Sequence, residues 1–410
     1  MKINNIGANI NFRAHYTNVD IGASSVLGSL KMSIVDEKGN LVAKNYASNV
    51  FDEGEDRSEE KFEKNVARKI ADFEKENSEK IKEIDKDNET KLTICYPGPK
   101  LKSDNNEALF YLSNFAYDAN RQQKFKKPIN ATLIDSYLKQ SGVNVTQSRH
   151  VNDMAGAGVC LLGKIKEECP EILKEGEEIL FMYPGGGLGT GMIIVDKDNI
   201  KVKPTEIQHA IKNWTAKNPI EENARAKKLR DNFADELELS AEERVLLGEN
   251  TKVVDNYEEL HSILPYISEE NFQEASKNAI LKFMDSLAQV IALKICDSKT
   301  DTVVITGPIA NGLRKSMNKN PKFKDYTSEE EPDNFKATLK RKVTKNLTKV
   351  GNENILKDPN RLNIIFLTIP NNTESAHILQ KGDEVGNKYV EMIEFKRKMK
   401  EQFGMNISYE

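Results

Sequence analysis

Chemistry is offered in this sequence by three glycine-bearing turns and the few carboxylates that flank them. In Asp20-Ile21-Gly22-Ala23-Ser24-Ser25 an acidic residue ends a strand, and the small residues after it let backbone N–H groups come close to an anion. An ordinary hairpin has the same composition. In the run from Gly185 to Gly191, with Leu188 and Thr190 inside it, five glycines fall in seven positions between two apolar strands. Such density costs backbone entropy that a simple connector does not need, so it points to a phosphate approaching the main chain; a flexible connector is the alternative. The run lacks the lysine of a Walker loop and leads into strand-like Met192 to Val195, so it is neither a P-loop nor a dinucleotide fingerprint. The third turn, Thr306-Gly307-Pro308-Ile309-Ala310-Asn311-Gly312, directly follows a strand. Ligands of α/β sheets bind at such carboxyl ends, so it is positioned for a nucleotide or its base, although an ordinary strand-to-helix turn reads alike.

Between the first two turns lies Asn152-Asp153. An aspartate at a strand end can take a proton from a substrate hydroxyl, and Asp20 can hold a hydrated Mg²⁺. An N-cap or N1 carboxylate favoured by the helix dipole is the structural alternative for Asp153, and from these residues taken alone the one the pattern favours. Glu206 and His209 are three apart, so on a helical turn both point the same way and can grip neighbouring sugar hydroxyls; as a bare pair they are also common surface chemistry.

The elements that must hold these residues are strands alternating with long amphipathic helices. Val19 to Val42 reads as a strand, a turn at Asp36 to Asn40 and a second strand. From Asp52 to Lys91 a charged stretch keeps Phe62, Val66, Ile70, Phe73, Ile81 and Ile84 at helical spacing. Leu92 to Tyr96 is a short strand stopped by Pro97-Gly98-Pro99, Ala131 to Gln140 is helical, and Val143 to His150 is a strand leading to a small-residue helix from Asn152. Ile179 to Val202 forms a second strand-loop-strand unit. Phe272 to Ile295 is a strong amphipathic helix, Thr302 to Thr306 and Leu362 to Leu367 are strands, and Val385 to Phe403 is helical by spacing. Residues 211–270 are polar and carry little pattern, and no repeat of solenoid period occurs.

The chain has 410 residues, long enough for two lobes with separate cores, and 38% hydrophobic against 30% charged residues describe a polar folded protein. Sixty basic against sixty-four acidic side chains, a formal charge of −4, provide no positive field for nucleic acid. Cys95, Cys160, Cys169 and Cys296 have no metal-ligand spacing and read as buried reduced thiols of a cytoplasmic protein. The segment from Met1 to Asn18 lacks the apolar region of a secretory signal, and no stretch approaches the roughly twenty apolar residues of a spanning helix, so no membrane role is expected.

The order of these motifs, from the Asp-x-Gly turn through Pro-Gly-Pro, Asn-Asp, the glycine-rich hairpin and Glu-x-x-His to a late Gly-x-x-x-x-Gly, resembles the ROK family of sugar kinases and their bacterial glucokinase relatives from about Val19 to Gly382. The resemblance implies an α/β, two-lobed actin-like ATPase (ribonuclease H-like) fold with a cleft between the lobes. One lobe would comprise residues 1–115 with a returning C-terminal helix, 385–410, and the larger lobe residues 116–384. It implies a glucokinase-like transfer of the ATP γ-phosphoryl group to a hexose hydroxyl, with ATP and Mg²⁺, and admits a homodimer. Asp20, Gly22, Ala23 and Ser24 match the first phosphate motif, Gly185, Gly186, Gly187, Gly189, Thr190 and Gly191 the second, and Gly307, Asn311 and Gly312 the adenosine motif. Asn114, Asn152, Asp153, Glu206 and His209 match sugar-contacting positions, with Asp153 as the family's base and Asp20 ordering Mg²⁺ through water.

Departures shape the alternatives. Ala23 stands where the family usually has a second glycine, and Gln208 replaces the glycine of its Glu-x-Gly-His pattern. A catalytically silent sugar- or nucleotide-binding relative therefore stays open, as does a kinase of the same fold for an amino sugar or small acid. No cysteine lies between Cys169 and Cys296, where many ROK proteins carry a zinc cluster, so no zinc is expected. Nineteen residues precede Asp20, too few for the DNA-binding module of the family's repressors.

Overall fold

The computed structural model describes residues 14–22, 28–103, 105, 107–112, 125, 127–185, 188–196, 199–205, 224, 226–244, 253–254, 257–258, 263, 266–298, 300–326, 333–349, 358 and 361–369. Its strands begin with β1 (His15–Gly22), β2 (Ser29–Val35) and β3 (Leu41–Asn49), joined as an antiparallel meander. The turn read from Asp36 to Asn40 connects β2 to β3: Asp36 Oδ1 accepts the amides of Lys38 and Asn40, both at 2.8 Å, and Gly39 takes φ +85°. The stretch expected to hold two strands thus contributes to three.

Helix α1 (Glu59–Glu76) starts where Ser58 caps Lys61 N, and buries Phe62, Val66, Ile70 and Phe73 from the stripe legible in the sequence. After α2 (Ser78–Ile84), strand β4 (Thr90–Tyr96) enters parallel to β1. Two-residue strands β5 (Lys100–Leu101), β6 (Leu109–Phe110) and β7 (Ile129–Asn130) form a small sheet before α3 (Ala131–Gln140) and β8 (Val145–Asn152), which runs parallel to β4. The first sheet takes its fifth strand, β8, from beyond residue 115, and that strand completes the edge of β4.

The second half follows α4 (Asp153–Glu168). Strands β9 (Glu178–Pro184), β10 (Leu188–Asp196) and β11 (Asn199–Pro204) make another antiparallel meander. Helix α5 (Ala226–Glu236), the short hairpin β12 (Val253–Val254) and β13 (Tyr257–Glu258), and helix α6 (Gln273–Ser298) precede β14 (Thr302–Ile305). Helices α7 (Pro308–Met317) and α8 (Asn334–Lys349) lead to β15 (Asn363–Phe366). The orders β3-β2-β1-β4-β8 and β11-β10-β9-β14-β15 are one topology used twice, with the fourth strand parallel to the first and the fifth to the fourth.

The small residues of α4 let both sheets press onto it. A Cβ on Gly156 would lie 2.8 Å from Cys95 Sγ in the first sheet, and one on Gly158 would lie 2.3 Å from Val202 Cγ1 and 2.7 Å from Phe181 Cζ in the second. One apolar cluster accordingly contains Cys95 and Val151 together with Phe181, Ile193, Val202 and Val304. Cys95, Cys160 and Cys169 are buried as expected, whereas Cys296 is exposed, on the outward side of α6 next to buried Ile295. The helix expected over Val385 to Phe403 lies outside the described residues. Among the described residues no helix is long and apolar enough to cross a membrane.

Candidate active site

Strands β1, β4 and β8 are mutually parallel, so their carboxyl ends share one edge of the first sheet. Asp20 pairs in register with Cys95, Cys95 with Val151 and Tyr96 with Asn152, which sets Asn152 one residue and Asp153 two residues past the row that begins at Asp20. Asp20 is 8% exposed. The Cys95 thiol reports on both carboxylates: burial first, and then the charges of Asp20, Cys160 and Asp153, push its pKa up. Asp20 and Asp153 thus lie on the same side of the molecule, around one sulfur.

The helix cap belongs to Asn152. Its Oδ1 accepts Met154 N at 2.9 Å, and its Nδ2 donates to Gly98 O at 3.0 Å. Asn152 is 1% exposed, and both ends of its amide are engaged within the protein. Asp153 is the first helical residue and is partly exposed, with Oδ1 accepting Met154 N at 2.8 Å. Asn152 holds the cap and Asp153 takes the first-turn position, the structural role its sequence also suits.

Below this edge the Pro97-Gly98-Pro99 loop is held on several sides. Tyr111 N donates to Pro99 O at 3.0 Å, and a Cβ on Gly98 would fall 2.1 Å from Tyr111 O. Tyr96 stacks on Phe110 with centroids 4.2 Å apart. Because the Asp135 carboxylate can only accept, His150 Nε2 donates to it at 3.1 Å, and in the neutral ring Nδ1 accepts from Tyr96 OH at 3.0 Å. The loop and strand ends that carry Asn152 thus rest on a bonded floor.

The second half reaches the same place through the glycine hairpin. Gly189 lies opposite Tyr183 and Gly191 opposite Phe181. A Cβ on Gly189 would be 2.1 Å from Met154 Sδ, and one on Gly191 would be 2.2 Å from Phe181 Cζ. Packing therefore accounts for these two glycines, which the sequence reading assigned to a phosphate. Thr190 is 2% exposed; its Oγ1 accepts from Thr205 Oγ1 at 3.1 Å, so its hydroxyl is used inside the fold. Gly185 follows β9 at the tip of the hairpin, and Gly186 and Gly187 lie outside the described residues.

The third turn adjoins this hairpin. Thr306 N donates to Met182 O at 2.9 Å, and Gly307 adopts φ +102°, with Tyr183 ring carbons 3.3 Å from where its Cβ would be. Gly307 caps α7 by backbone alone, and Asn311 Nδ2 donates to Leu367 O at 3.5 Å, while Gly312 lies in the next turn of α7. The Thr306 hydroxyl is buried without a protein partner.

Contacts therefore link all three turns: Asp20 to Cys95 and α4, Met154 to Gly189, and Tyr183 to Gly307. Ala23, Ser24, Asn114, Glu206, Gln208 and His209 lie outside the described residues. Asp20 is a buried carboxylate at the carboxyl end of β1, a residue type that would hold a hydrated Mg²⁺ through water. No group of three or more His, Cys, Asp or Glu that could hold a metal ion occurs among the described residues. Sequence reasoning missed Lys31, which faces Asp20 across the β1–β2 ladder; only strand register reveals it.

No family model and no curated protein matches this sequence. Among solved structures the chain is similar to glucokinase from Balamuthia mandrillaris in complex with glucose, at 13% identity over 90% of this chain and 94% of that one, TM-score 0.54. It is similar to a putative sugar kinase from Cytophaga hutchinsonii at 13% identity over 89% and 99%, TM-score 0.53. A ROK family transcriptional regulator, a homolog of the E. coli MLC protein, is similar at 11% identity over 90% and 78%, TM-score 0.51. With its doubled five-stranded topology and a helix wedged between the sheets, this chain has the two-sheet α/β fold of these glucokinase and sugar-kinase structures.

Proposed function

We propose that this chain is a cytoplasmic, ATP-dependent sugar kinase of the ROK and glucokinase type. One observation carries the reading: Asp20 and Asp153 share a sheet edge, and the residue after Asp153 is seated on the glycine hairpin of the other half. That arrangement offers an anion-binding backbone opposite a carboxylate, as in-line phosphoryl transfer requires.

In this mechanism Asp153 takes the proton of the accepting hydroxyl as that oxygen bonds to the γ-phosphorus. The bond from the γ-phosphorus to the bridging oxygen breaks, leaving ADP and the sugar phosphate. Backbone N–H groups of the turns at Gly22 and Gly185 hold phosphate oxygens, and the turn at Gly307 receives the adenosine. Mg²⁺, when bound beside Asp20, supplies neutralisation of phosphate charge. Asn114, Glu206 and His209 are assigned to the sugar by resemblance alone, and Asn152 acts by orienting the loop and helix around it.

An ADP-release assay over a panel of hexoses, amino sugars and small hydroxy acids tests this reading. Turnover with one acceptor, abolished in Asp153→Asn, is the expected result; sugar and ATP binding without ADP release sinks it. A silent sugar-binding or regulatory protein is the second reading, supported by Ala23 and Gln208 and by the similarity to a ROK regulator.

A further inference from the structure

Strand β8 leads directly into Asp153, yet among the described residues it is the outermost strand of its sheet, with β4 on one side and no strand on the other. Such a strand leaves one row of N–H and C=O groups without ladder partners, so side chains must fix where it ends. They converge on His150. Lys100 Nζ donates to its carbonyl oxygen at 3.3 Å. Asp135 of α3 accepts from its Nε2 at 3.1 Å and is itself held by the Ser148 hydroxyl at 2.6 Å. Tyr96 of β4, fully buried against Phe110, donates to its Nδ1 at 3.0 Å.

This trio of Asp135, His150 and Tyr96 interrupts an apolar face. His150 stands opposite Ile94 in the ladder, and Ile94, Phe110, Ile134 and Leu138 belong to one cluster. An aliphatic side chain at position 150 would suit that cluster, whereas a buried polar trio offsets its desolvation only when each member is paired. What the trio adds is position. Tyr96 lies in register with Asn152, and its carbonyl accepts Gly98 N at 2.9 Å. The bond from Tyr96 to His150 therefore ties the start of the Pro97-Gly98-Pro99 turn to the residue three before Asp153.

We propose that His150 is a positioning residue for the transfer: clamped by Asp135 and Tyr96, it fixes the carboxyl end of β8 so that the Asp153 carboxylate meets the accepting hydroxyl. The inference rests on the kinase reading. Tyr96 is fully buried and His150 nearly so, and they act through the backbone from His150 to Asp153. A misplacement of about 1 Å at a reacting group costs up to about a hundredfold in rate. The nucleotide is spared, because β4 separates β8 from the turn at Gly22 and the other two turns belong to the second sheet.

Steady-state kinetics and ATP calorimetry on the wild type, Tyr96→Phe, His150→Gln and His150→Leu test the assignment, with thermal melts checking that each variant is folded. Tyr96→Phe keeps the stacking on Phe110 and deletes only the hydroxyl. It is expected to lower kcat roughly 3- to 10-fold, and His150→Leu roughly 10- to 100-fold, while KM and Kd for ATP stay within about twofold. His150→Gln, whose amide still donates to Asp135, should match Tyr96→Phe, and adding Tyr96→Phe to His150→Leu should cost nothing more. Tyr96→Phe decides the matter alone if His150→Leu does not fold. Unchanged kcat in folded Tyr96→Phe, or ATP binding weakened in step with kcat, overturns the role of His150 while the kinase reading stands. A wild type that releases no ADP with any acceptor overturns both.

Discussion

Met154 Sδ occupies the space a side chain on Gly189 would need, 2.1 Å from that glycine's Cβ position, so the residue after Asp153 is seated on the bare backbone of the opposing hairpin. This contact joins the proposed base to the proposed phosphate loop, and it can be tested without any substrate. Gly189→Ala should destabilise the protein by about 1–3 kcal/mol through overpacking. Adding Met154→Ala should recover part of that loss because it vacates the contested volume. Urea unfolding of the four proteins measures the coupling, and strictly additive losses would show that the two residues do not meet.

Asp153 should matter far more to turnover than to folding. Since Asn152 holds the cap, Asp153→Asn is expected to change unfolding free energy by no more than about 0.5 kcal/mol. The same change should lower kcat roughly a hundredfold or more. Steady-state kinetics beside a thermal melt check both halves, and full activity in the variant would remove Asp153 from the mechanism.

Asn152 presents the opposite profile. Asn152→Ala deletes both the bond to Met154 N and the bond to Gly98 O, and should cost about 2 kcal/mol. Asn152→Ser keeps a capping oxygen but loses the donor to Gly98, so about half of that loss is expected. Hydrogen exchange over residues 98–112 should quicken in both variants. Unaltered exchange would mean that Gly98 is held by other contacts.

Glu63 gives the first half a pH signature. Burial, with smaller contributions from Glu59 and Glu60, raises its pKa from 4.5 to about 7, against the opposing pull of the Asn130 amide and Lys127. A carboxyl whose folded pKa exceeds its unfolded one contributes stability that is complete below pH 4.5 and is lost as pH rises through about 7. Glu63→Gln can still accept from Asn130 N, which donates to Glu63 Oε1 at 2.6 Å. The variant is therefore expected to exceed the wild type in stability at pH 8 and to match it near pH 4. Denaturant titrations across that range decide the matter, and parallel pH profiles would refute the assignment.

What the sequence made legible was local. Helix α3 begins and ends where its apolar spacing placed it, and the strand-to-helix junction at Asn152 follows from an Asx residue ahead of a small-residue helix. Register and packing were not legible, because they join residues far apart in the chain. That Lys31 stands opposite Asp20, for example, is set by the register of β1 and β2. Gly189 and Gly191 read as ligand-binding glycines until Met154 and Phe181 are found against them. Likewise β8 joins the edge of β4 from far along the chain, a pairing that no local pattern announces.

The glycines of α4 also have an energetic meaning. With Gly156 against one sheet and Gly158 against the other, the helix has no slack on either flank, so a twist imposed from one side must be transmitted to the other. A ligand that tightens the hairpin at Gly189 would then alter the setting of the acid at the head of that same helix, and by reciprocity an acceptor docked on the acid would change the grip on the hairpin. Two substrates could thereby sense each other through a single rigid rod, with no relay of moving side chains between them.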